Sequence, residues 1–158
     1  MKVLFISLGC DKNLVDSEFM LGKLTKHKFT VTDDEQEADI IVVNTCCFIH
    51  DAKEESIQSI LDMAQYRTSG SCKALIVCGC LAERYRDEIL KEIPEVDAVL
   101  GIGANKDIAL ALKEALEGHK KELFASKYDL SLSGERVLST PKFYAYLKIS
   151  DGCDNCCT

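Results

Sequence analysis

The chain has 158 residues, enough for one domain with a proper core, and its 47% hydrophobic and 28% charged content is ordinary for a globular protein. Nine cysteines is a high and odd count, which excludes complete internal disulfide pairing; with no leader pattern at the N-terminus, a reducing cytoplasm and metal ligation are expected. A net charge of −7 argues against a nucleic-acid surface and suits a basic protein partner, and no apolar run approaches the roughly 20 residues of a membrane helix.

In chain order, the sequence predicts strands at residues 2–8, near Phe29 to Val31, and at 38–43, 73–78 and 96–100. Helical patterns lie between them. Asp16, Ser17 and Glu18 read as the start of a helix, where acids suit its positive end. Ile57, Ile60, Leu61 and Ala64 mark one face of a helix starting near Asp51. Thr68 to Ser71 reads as a loop. Ile108, Ala111, Leu112 and Ala115 mark another helix, with Asn105 as its expected N-cap and Gly118 as its stop. Residues 119–141 lack clean periodicity and read as a linker ending at Pro141. Phe143 to Ile149 is one more strand-like run. Strands alternating with helices imply right-handed crossovers and an α/β three-layer sandwich around a mostly parallel, five-stranded sheet.

Three strand runs end on a cysteine: KVLFISLGC at Cys10, ADIIVVNTC at Cys46 and KALIVCGC at Cys80. In a parallel sheet the loops after the strands gather at one edge, where open α/β folds build their sites. Thiols far apart in sequence then meet in space, which makes a metal site the sharp reading. The bland one is three small buried hydrophobes, a common use of free cysteine. Zinc fits poorly, because its structural sites use Cys-x2–4-Cys knuckles, whereas Cys78 and Cys80 are closer than that and Cys46 and Cys47 are adjacent. Cys78 reads as core and Cys72 as inert. Asn13 and Asn44 flank the first two cysteine loops and can either brace the turns or hydrogen-bond to a cluster. Gly101 and Gly103 make no dinucleotide fingerprint, because the third glycine and the acidic partner are missing. No Cys-x-x-Cys follows the first strand, as a thiol–disulfide protein requires.

The tail adds a second signal. Cys153 and Cys157 open a Cys-x3-Cys-x2-Cys pattern, whose third cysteine would fall two residues beyond Thr158. Such a loop gives three thiolates to a 4Fe–4S cluster and leaves one iron open for S-adenosylmethionine. The chain reads as one cut within a motif.

These residues resemble the radical-SAM methylthiotransferases, and among them the group that modifies a ribosomal-protein aspartate. The likeness is carried by Ser7-Leu-Gly-Cys-Asp-Lys-Asn-Leu-Val-Asp-Ser-Glu18, by Val43-Asn-Thr-Cys-Cys-Phe-Ile49 with Ala52-Lys-Glu-Glu-Ser56, by Gly79-Cys-Leu-Ala-Glu-Arg-Tyr85 and by Ser150-Asp-Gly-Cys153. The resemblance implies a Rossmann-like cluster domain over residues 1–118, a linker over 119–141 and the start of a barrel over 142–158. It implies two 4Fe–4S clusters, one on Cys10, Cys46 and Cys80, the other on Cys153, Cys157 and a third cysteine. It implies two uses of S-adenosylmethionine: methylating sulfur on the first cluster, and radical formation at the second. A small-subunit ribosomal protein is then the substrate, and flavodoxin or ferredoxin the kind of electron donor expected. Cys47 and Cys156 stand where the family more often has other residues. A tRNA methylthiotransferase and a non-catalytic sulfur carrier are the alternatives.

Overall fold

The computed structural model describes residues 1–126 and 134–150. Six strands form one sheet: β1 (Lys2–Ser7), β2 (Thr30–Thr32), β3 (Ile40–Thr45), β4 (Ala74–Gly79), β5 (Ala98–Leu100) and β6 (Lys121–Leu123). Their order is β2-β1-β3-β4-β5-β6, and every pairing is parallel. The helices are α1 (Asp11–Lys26), α2 (His50–Ala64), the single turn α3 (Tyr66–Ser69), α4 (Cys80–Glu92) and α5 (Ile108–Leu116), with a 3-10 segment at Ile102–Asp107 before the last.

Central strands in such a sheet are covered on both faces and therefore read as continuous apolar runs. β3 and β4 are buried at every residue. Alternate side chains point to opposite faces, which divides the core in two. Ile40, Val42 and Ile76 pack with Met20 and Leu24 of α1 and Ile108 and Leu112 of α5. Ile41, Val43, Leu75 and Val77 pack with Ile60 of α2 and Leu81 and Ile89 of α4. The three-layer sandwich is as expected.

The strand count is corrected from five to six. β6 lies inside the stretch read as a linker, where Lys-Glu-Leu offers no apolar pattern. It is held as an edge strand through its backbone, with Gly101 N–H donating to the Leu123 carbonyl at 2.9 Å. Asn105 does not cap α5. Asp107 occupies the cap position, and Asn105 is buried within the 3-10 segment. Gly118, at φ +80°, follows α5 as anticipated. α1 begins at Asp11, so Asp16, Ser17 and Glu18 sit in mid-helix and are buried. Residues 143–149 form no strand, for no neighbouring strand pairs with them among the described residues; Phe143, Leu147 and Ile149 stay exposed.

The sheet edge where β4 and β5 begin is pinned by one carboxylate. Asp97 accepts from Arg67 Nη2 at 2.9 Å and from the Leu75 N–H at 2.8 Å, while Arg67 Nη1 donates to the Cys72 carbonyl. Removing the carboxylate leaves a partly buried guanidinium and a strand N–H without their acceptor. Asp97→Ala should therefore lower unfolding free energy by about 2 kcal/mol in urea titration.

Candidate metal centre

The register of three adjacent strands sets the site. Ser7 lies opposite Asn44, Asn44 opposite Cys78, and Thr45 opposite Gly79. Cys46 and Cys80 immediately follow β3 and β4. Beyond β1, Leu8 N–H still bonds to the Asn44 carbonyl at 2.9 Å, and the chain then turns through Gly9 to Cys10. Cys10 is the N-cap of α1, and Cys80 is the first residue of α4.

Two of these turns share a device that the sequence reading did not weigh. Gly9 and Gly79 both adopt φ +91°, a left-handed conformation that side chains disfavour. Space excludes a side chain as well. A Cβ on Gly9 would lie 2.5 Å from Cys46 Cβ and 2.9 Å from its Sγ. A Cβ on Gly79 would lie 2.5 Å from the Thr45 carbonyl oxygen and would also strike Asn44 Oδ1. The repeated Gly-Cys pair at a strand end was the readable signal.

Behind the thiols lies a polar brace. Asn13 Nδ2 donates to the Leu8 carbonyl at 2.6 Å and to the Thr45 carbonyl at 3.3 Å. Asn44 Nδ2 donates to the Asn13 carbonyl at 3.1 Å and to Ser17 Oγ at 2.8 Å. Both asparagines therefore brace the turns. Ser56 of α2 fixes the middle loop: it accepts from Cys46 N–H at 2.9 Å and donates to the Cys46 carbonyl at 2.8 Å.

The three thiols differ in depth. Cys46 is buried, Cys80 half-buried and Cys10 exposed. Burial, followed by the neighbouring thiols of Cys46, Cys47 and Cys10, pushes the Cys80 thiol up to about 11. A cation can displace the protons that such a group retains, because the thiolate is the ligand form. Cys10 and Cys46 line an open cleft of about 1010 Å³ with Lys12, Phe48 and Ile49. Cysteine thiolates are the usual ligands of iron–sulfur clusters. Such a cluster on three thiolates is anionic, and the amino ends of α1 and α4 favour negative charge. The residues present fit a 4Fe–4S cluster.

Of the other described cysteines, Cys47 lies near Cys80, whereas Cys72 and Cys78 are withdrawn into the core. Cys78 is fully buried, and burial holds its thiol far above the ordinary range. Cys72, also buried, bonds through Sγ to the Ala74 carbonyl at 3.3 Å. Cys47 is half-buried, and burial raises its thiol despite the opposing pull of Arg84. Cys153, Cys156 and Cys157 lie outside the described residues.

Parallel strands ending in Gly-Cys turns are thus the framework of this protein. Residues 2–101 match the family described as uncharacterized protein family UPF0004, and the chain belongs to that family. The resemblance to the methylthiotransferases holds as well. The chain is 58% identical to a ribosomal protein uS12 methylthiotransferase RimO of Lachnoclostridium phytofermentans, covering 100% of the chain and 36% of the relative. It is 54% identical to the protein of that name from Acetivibrio thermocellus, and 51% to that from Caldicellulosiruptor saccharolyticus, in each case over 99% of the chain and 36% of the relative. The chain therefore spans about a third of the length of the curated relatives it matches. No described helix is long and apolar enough to cross a membrane.

The glycine geometry carries a prediction. Gly9→Ala forces Cys46 aside, so iron bound after anaerobic reconstitution should fall to roughly half of wild type or less. Gly79→Ala strikes backbone as well, and should also destabilise the fold by about 2 kcal/mol in thermal unfolding.

Proposed function

We propose that this chain is the cluster-bearing part of a methylthiotransferase, with Cys10, Cys46 and Cys80 as ligands of one 4Fe–4S cluster. Cys153 and Cys157 then begin the ligand set of a second cluster, at which S-adenosylmethionine is cleaved to a radical. The whole protein adds a methylthio group to the β-carbon of an aspartate in ribosomal protein uS12. The reading rests chiefly on the strand register, which carries three chain-distant thiols to one sheet edge. It draws further support from relatives named as uS12 methylthiotransferases. Those names also favour a protein substrate over tRNA, and a net charge of −7 suits a basic ribosomal protein.

When bound, the first cluster would supply the sulfur that is methylated and transferred. The chain's own residues do the rest of the work at this edge. Cys46, fixed fore and aft by Ser56, is the rigid anchor. Cys10 sits at the open rim, where Phe48 is 92% exposed and Ile49 also faces outward. Those two side chains give the mouth an apolar border against which the remainder of the protein or its substrate can exclude water. A reducing cytoplasm is the compartment such thiols need, and flavodoxin or ferredoxin is the kind of donor proposed for the one-electron step.

Anaerobic iron and sulfide analysis after reconstitution tests the ligand set. About four irons per cluster are expected in the wild type, and the Cys10/Cys46/Cys80→Ala variant should lose the share held at this edge. Cys78→Ala, which removes a neighbouring core thiol, should retain iron at the wild-type level. Equal iron in the wild type and the triple variant would defeat the assignment.

A further inference from the structure

α1 carries two buried acids that the thiol site does not use. Glu18 is 1% exposed and Asp16 is 6% exposed. Their partners come from the far end of the described chain. Glu18 Oε1 accepts from the Ser139 N–H at 2.7 Å and from its hydroxyl at 2.8 Å, while Glu18 Oε2 pairs with Arg136 Nε at 3.0 Å. The Glu18 carbonyl accepts from Val137 N–H at 3.1 Å. Asp16 takes Lys148 Nζ on both oxygens, at 2.8 and 3.0 Å. The nearby charge of Asp11, at the start of the helix, raises the Tyr146 phenol.

A glycine marks the other end of this contact. Gly22 is buried inside α1, where glycine destabilises a helix by roughly 0.5–1 kcal/mol relative to alanine. A Cβ there would overlap the Glu135 carbonyl and come within 3.4 Å of Arg136 Cα. The helix has given up a side chain so that residues 135–136 can lie directly on it.

Together the contacts define a direction. Residue 135 meets position 22, residues 136–139 meet position 18, Lys148 meets position 16 and Tyr146 meets position 11. Residues 135–146 thus progress along α1 toward the end that Cys10 caps, and the long Lys148 side chain reaches back to Asp16. Cys153 follows Lys148 by five residues, and five residues of chain span at most ~18 Å.

We propose that Glu18 and Asp16 are positioning residues: they strap residues 134–148 onto α1 and so fix the course of the chain ahead of Cys153. This rests on the two-cluster reading above. Removing one partner of a buried charge pair leaves the other uncompensated, and fixing register is the best-attested use of such pairs.

Hydrogen exchange on metal-free full-length protein reads the strap itself. Glu18→Gln and Lys148→Met should each speed amide exchange in residues 134–150 roughly tenfold, with β3 and β4 unchanged. In the reconstituted enzyme, Lys148→Met should keep the iron bound by Cys10, Cys46 and Cys80. It should also raise the ratio of 5′-deoxyadenosine formed to methylthiolated product about tenfold, while Lys148→Arg stays near the wild-type ratio. Wild-type exchange in both variants, or a wild-type product ratio in Lys148→Met, overturns the proposal. The exchange arm needs no metal, so failure of the cluster reading in the iron assay and failure of the strap are told apart.

Discussion

The parallel register of β1, β3 and β4 is the constraint on which the site depends. Neighbouring strands stand about 4.8 Å apart, and in-register strands end side by side. Three thiols are gathered at one edge because the backbone hydrogen bonds of the sheet permit no other alignment. A one-residue slip would turn each strand's buried side chains to the other face and is therefore heavily penalised. The apolar core of Ile40 to Val43 and Leu75 to Val77 thus fixes the sulfur positions indirectly. The site inherits its rigidity from packing that contains no sulfur chemistry.

Between that sheet and the thiols lies a layer of polar groups, of which Asn13, Asn44 and Ser17 are buried and Ser7 is exposed. Asn13, Asn44, Ser17 and Ser7 bond to one another and to loop carbonyls. Burying such groups is unfavourable unless they are paired, and here the pairing holds two loops at once. The arrangement explains why α1 carries polar side chains on an inward face. Ser17 reaches forward to Asn44 and Ser7, whereas Glu18 and Asp16 reach the returning chain. One helix thus serves the brace and the strap from adjacent positions.

The sequence displayed the central strands well, because burial on both faces leaves an unbroken β-branched run. The cysteines at their ends, and hence the candidate ligands, could be read for the same reason. Edge strand β6 was not legible: Lys-Glu-Leu is held by backbone bonds that leave no side-chain period. Asp16 and Glu18 read as ordinary acids near a helix start, since nothing local announces partners 132 and 121 residues away. Asn105 resembled a cap because a 3-10 segment, which has no strong sequence signature, precedes α5. Phe143 to Ile149 shows the converse: a strand-like composition specifies a strand only where another strand is present to pair with it.

The full burial of Cys78 bears on how a nine-thiol chain avoids mis-metallation. Cys78 lies two residues from Cys80, within easy chain reach of the same edge, yet the pleat turns it into the core beside α1 and α5. Held protonated by its apolar surroundings, it is a poor nucleophile toward iron, oxidants and other disulfides alike. Cys72 is withdrawn in the same manner. The fold therefore withdraws these two sulfurs into the core before any metal arrives. That withdrawal is a property of the folded chain, and a partly unfolded one would lose it.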